Sequence, residues 1–133
     1  IEIITSMIYF TIWTLFLAST ISASLAPRVV YSAVIYNAQN ASIQCSVVWS
    51  QPSGSTLESG LFAVEKCDYY VVEEKTVDMG TWEAYAIIEE IHCGNLVLTA
   101  PFDNVTSPVK NWEFHVQSDE IVSFGLSSYE TNN

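Results

Sequence analysis

A chain of 133 residues, 50% of them hydrophobic and 14% charged, has room for one domain once an apolar leader is set aside. Fifteen acids stand against four scattered bases, Arg28, Lys66, Lys75 and Lys110, for a net charge of −11. That balance argues against nucleic acid and disfavours anionic headgroups as partners, because both need clustered Lys and Arg, and it leaves a solvated acidic surface.

From Ile3 to Pro27 no residue is charged, and about 20 such residues suffice to cross a bilayer. The apolar density is uneven. It runs from Ile8 to Ala18 and gives way to Ser19, Thr20, Ser22, Ala23 and Ser24. An apolar run followed by small residues is the pattern of a cleavable signal peptide, here starting at Met7 and cut between Ala23 and Pro27. The alternative is a retained anchor through residues 7–25, but Arg28 on its C-terminal side would tend to hold the following domain in the cytosol. The chain thus divides into a leader (1–26), a domain (27–126) and a polar tail (127–133) read as frayed. The expected location is extracellular, with membrane anchoring as the alternative.

Two sequons support secretion: Asn40-Ala41-Ser42 in a polar link, and Asn104-Val105-Thr106 between Pro101 and Pro108. Both fall in segments read as loops, where a glycan can project. Of three cysteines, Cys45 and Cys93 share strand parity with apolar neighbours and form the favoured disulfide. Cys67 is then the odd thiol, either buried or available for oligomerisation through an intermolecular bond.

Within the domain, Arg28 to Tyr36 is rich in Val, Ile and Tyr and reads as a strand, with turn chemistry from Asn37 to Ser42. In "SIQCSVVWS", Ile43, Cys45, Val47 and Trp49 alternate with more polar residues until the turn from Gln51 to Ser55. "GLFAVEKC" and "DYYVVEEKTV" continue the pattern, and Asp78-Met79-Gly80 forms a hairpin-like turn. The stretch 81–92 reads as a long strand, which fits its turn-bounded neighbours better; the alternative is a single helix there, giving an α+β fold. "NLVLTA" is a short strand, and "PFDNVTSPVK" is a loop whose prolines cannot donate to a ladder. "NWEFHVQ" places Trp112, Phe114 and Val116 inward against Glu113, His115 and Gln117 outward, and "EIVSFGL" is the last strand. Seven or eight short strands with closely spaced turns predict an all-β, antiparallel β-sandwich.

Chemistry is sparse. The two histidines, His92 and His115, lack a partnered nucleophile motif, and no GxSxG elbow surrounds a serine. The adjacent acids Glu73-Glu74 and Glu89-Glu90 point to opposite faces of a strand, so neither pair forms a glycosidase dyad by spacing alone. No Walker, EF-hand or dinucleotide fingerprint is present, and no ligand spacing calls for a metal or other cofactor. What remains is aromatic. Tyr69 and Tyr70 face opposite ways, so at least one points outward, and Trp82 follows the Gly80 turn. The expectation is a secreted, glycosylated, non-catalytic binding module that recognises an extracellular protein or carbohydrate through Tyr69, Tyr70 and Trp82. The rivals are a sandwich that inserts an aromatic rim into membrane and a small secreted hydrolase.

Overall fold

The computed structural model describes residues 26–130, so the apolar leader and its cut or anchor lie outside the described residues. The chain runs through eleven strands: β1 (Ala33–Asn37), β2 (Ile43–Ser50), β3 (Thr56–Glu58), β4 (Phe62–Val64), β5 (Tyr69–Val72), β6 (Thr76–Asp78), β7 (Glu83–Tyr85), β8 (Ile87–Cys93), β9 (Leu96–Thr99), β10 (Trp112–Val116) and β11 (Ile121–Leu126). Among the described residues there is no helix, and none long and apolar enough to cross a membrane. A four-stranded sheet has the order β11-β10-β1-β5. A second sheet has the order β3-β2-β8-β9, with β4 also paired to β2, and β6 and β7 form a separate hairpin.

Period-two alternation sets the inner faces. From the first sheet, Ile35, Phe114 and Val116 are fully buried, and from the second, Cys45, Val47, Ile91 and Cys93 meet them in one core. Burying each such large apolar side chain contributes about 1.5–3 kcal/mol. Cys45 lies directly opposite Cys93 in the β2–β8 ladder, and the two are disulfide-bonded. Trp49, Trp112 and Phe114 belong to the core, as their parity requires.

Asn37 is the polar tie between the layers. It is completely buried; its Nδ2 donates to the carbonyls of Ala41 (2.8 Å) and Val64 (2.9 Å), while its Oδ1 accepts from Gln39 N–H (2.9 Å). The backbone of the same residue donates to the Asp68 carbonyl and accepts from Cys67 N–H, which fixes where β5 begins.

Several sequence-based expectations change. The expected all-β, antiparallel sandwich is what the chain forms, with one exception among its strand pairs: β1 and β10 run in parallel, Ala33 opposite Trp112 through Asn37 opposite Val116. Parallel neighbours need a long crossover, and everything from β2 to β9 supplies it. The strand reading of 81–92 holds against the alternative helix, but the strand is divided into β7 and β8 at the fully buried Ala86, whose N–H bonds to the Lys75 carbonyl. The run from Asp68 to Val77 likewise splits: Val72 is buried, but the charged Glu73-Glu74-Lys75 leaves the sheet before β6 starts. The first strand begins at Ala33, not Arg28, and Val30 makes only an isolated bridge to Val109. These breaks, together with β3, raise the strand number to eleven. The start of the tail is packed rather than frayed, since Ser127 N–H bonds to the Asn111 carbonyl and Tyr129 stacks on Tyr69.

Candidate binding face

The outer face of the four-stranded sheet carries the residues of opposite parity to the core: Tyr69 and Val71 on β5, Val34 and Tyr36 on β1, Glu113 and His115 on β10, Val122 and Phe124 on β11. Register brings their rings side by side. Tyr36 stands opposite Tyr69 on one flank and His115 on the other, and His115 stands opposite Val122, one pleat from Phe124.

The result is a row of five rings across all four strands. Tyr129 stacks on Tyr69 with centroids 4.5 Å apart; Tyr69 lies 4.8 Å from Tyr36, Tyr36 lies 5.2 Å from His115, and His115 stacks on Phe124 at 4.1 Å. Pairs of this kind add about 0.5–1.5 kcal/mol each beyond the area they bury. Phe124 is 59% exposed, and Tyr69 and Tyr129 are exposed as well, so the row ends in solvent.

Polar groups lie under and beside the rings. Glu113 is on the outward face, as its parity requires, yet it is buried: its carboxylate accepts from Ser127 Oγ (2.7 Å) and meets His115 Nε2 (2.6 Å). The carboxylate sits between the serine and the histidine. Serine activation needs the histidine on the hydroxyl, so this order anchors the imidazole and the tail instead of relaying a proton. Charge repulsion from the neighbouring Cys67 holds the Tyr36 hydroxyl above its ordinary value, and burial pushes it the same way. Cys67 itself is a free, exposed thiol held at φ 58°.

The three residues singled out from sequence occupy three different places. Tyr69 belongs to the row. Tyr70 faces the other way and stacks on Phe62 of β4 at 4.0 Å, a contact between the two sheets beside β5. Trp82 is 58% exposed in the β6–β7 turn, where its carbonyl accepts Met79 N–H, and it takes no part in the row. Both sequon asparagines are exposed, Asn104 at a positive φ of 69° within its loop. Sequence reasoning missed Tyr36, His115, Phe124 and Tyr129 as members of one surface. Parity does place Tyr36 and His115 on outward faces, but no local signal says that their strands are neighbours.

Among the described residues no group of three or more His, Cys, Asp or Glu is placed to hold a metal ion. The His92–Glu90 contact (2.8 Å) lies on the outer face of the second sheet, remote in register from the aromatic row. No family model, curated protein or solved structure matches this chain.

Proposed function

We propose that the protein is an extracellular, non-catalytic binding module that recognises another protein through the outer face of its four-stranded sheet. The observation that carries this reading is the solvent-facing row from Tyr129 to Phe124. Aromatic residues are enriched in the centres of protein interfaces, where they bury large area at low entropic cost.

Protein is favoured over carbohydrate by the way the rings stand. Sugar rings stack on open aromatic faces, whereas Tyr69, Tyr36 and His115 each have a ring on both flanks and offer edges and polar tips. An extracellular setting is supported by the buried Cys45–Cys93 disulfide, which suits an oxidising compartment, and by the exposed sequons at Asn40 and Asn104. The net charge of −11 favours a basic partner surface and faster encounter with it.

The test is to produce the protein in a eukaryotic secretory host and probe arrays of purified ectodomains and of glycans. The expected outcome is a protein ligand whose affinity falls about tenfold or more in Phe124→Ser and Tyr69→Ser, a hot-spot effect, with Trp82→Ser unchanged. Glycan binding, or a ligand indifferent to both exposed ring substitutions, overturns the reading.

A further inference from the structure

The two edges of the four-stranded sheet are finished differently. At β11 the ladder to β10 carries a bulge between Glu113 and Phe114. Bulges are a usual protection against unwanted strand pairing. The other edge, β5, has none. Its sequence is Tyr-Tyr-Val-Val, its ladder to β1 is regular, and no strand of the described residues pairs on its far side.

Which groups that edge presents follows from the ladder. Asn37 exchanges backbone bonds with Asp68 and Cys67, and Ser32 on the other parity bonds to Trp112. Odd residues of β1 therefore face β5, so Tyr70 and Val72 spend their backbone groups on β1. The Tyr69 N–H is already taken by Asp68 Oδ1 (2.8 Å). Tyr69 C=O, Val71 N–H, Val71 C=O and Glu73 N–H are left pointing outward, an alternating row of acceptors and donors with a two-residue repeat. Only another extended polypeptide backbone matches that repeat.

Side-chain space lies beside it. A groove of about 710 Å³ runs next to β5, with Leu61, Phe62, Tyr70 and Trp49 among its lining residues. Leu61 is 75% exposed there, beside the Phe62–Tyr70 stack. Of the nearby cations, Lys110 is engaged with Glu74 (2.8 Å) and Lys75 lies over the Trp49 ring (5.3 Å); Lys66 is exposed beside Glu65, where the exposed acids Glu65, Asp68 and Glu73 outnumber it.

The geometry points to β5 as a strand-addition site that takes an extended, basic peptide segment of a partner protein as a fifth strand of the sheet. Its alternate side chains would enter the groove and lie along the outer face, and its basic groups would meet Glu65 and Glu73. A second copy of this chain is the poorer occupant, because each carries the same −11 charge. The recognising groups are backbone amides of the edge, distinct from the ring row of the face.

The test uses the isotopically labelled protein and a pool of peptides about nine residues long, alternating Val, Tyr or Leu with Lys or Arg. A matched pool is N-methylated at alternate amides, which keeps charge and side chains but removes the pairing edge. The expected result is that amide exchange at Val71 and Glu73 slows about tenfold or more with the first pool and stays unchanged with the second. No slowing at about 1 mM peptide, or equal slowing by both pools, overturns the site. Protection that grows with protein concentration alone overturns the basic-peptide occupant in favour of self-pairing. Peptide-induced shifts at Tyr36 and Phe124 with unchanged edge amides overturn strand addition while leaving the aromatic face as a protein-binding surface.

Discussion

Replacing Asn37 with alanine removes three hydrogen bonds at the point where the two sheets are joined. The bond to Val64 is buried, so its carbonyl is left without a partner at a cost of about 1–3 kcal/mol. The Ala41 carbonyl and Gln39 N–H are only partly buried and can find water, so each loss costs about 0.5–1.5 kcal/mol. The expected destabilisation is therefore about 3 kcal/mol, or a Tm lower by about 15 °C for a domain of this size. Denaturant and thermal unfolding, followed by far-ultraviolet circular dichroism and Trp fluorescence, measure it directly. Asn37→Asp sharpens the argument. It keeps the acceptor for Gln39 N–H but turns a carboxylate oxygen toward two carbonyl oxygens, so the folded state raises the pKa of the introduced group. A raised folded-state pKa means that stability is fully present below the unfolded value and is lost as pH rises through the folded one. Asn37→Asp is thus weaker than Asn37→Ala at about pH 7 and recovers toward about pH 4. A loss below about 1 kcal/mol for Asn37→Ala, or an Asn37→Asp variant no weaker at neutral pH than in acid, refutes the account of Asn37 as the tie.

Two further predictions concern the frame that holds the binding face. The Cys45–Cys93 bond spans 48 residues of sequence, so the paired Cys45→Ala and Cys93→Ala substitutions lower stability by about 4 kcal/mol on chain-entropy grounds. Equilibrium urea titration checks this, and a loss under about 1 kcal/mol would show that the cross-link does not restrict the unfolded chain as argued. Ser123→Ala deprives the buried Trp112 Nε1 of its acceptor (2.8 Å) and the Asp103 carbonyl of its donor, for an expected loss of about 2 kcal/mol. Full stability in that variant, measured by thermal melts against the native protein, would mean that water replaces the hydroxyl without penalty.

Much of this architecture was legible one strand at a time. The parity of Cys45 and Cys93 with apolar neighbours placed both in the core, and it is there that they meet. The adjacency of Tyr69 and Tyr70 required opposite faces, which is how they stand, one in the ring row and one on Phe62. Trp49, Trp112 and Phe114 are core for the same reason. These are local consequences of a two-residue side-chain repeat, and any short window of sequence carries them.

What parity cannot say is which strand lies beside which, because pairing is decided by how the whole chain buries its apolar faces against the entropy of closing long loops. Residues 33–37 and 112–116 run in parallel only because the chain between them builds the other sheet, and that single pairing sets Tyr36 beside His115. The same non-local arrangement leaves β5 without an outer neighbour and ends its strand before Glu73, Glu74 and Lys75, whose charged groups turn to solvent, to Lys110 and to the Trp49 ring. Sequence alone determined the sandwich and the facing of its residues; the aromatic row and the open edge exist only through tertiary structure, since each is made of groups whose neighbours lie far away along the chain.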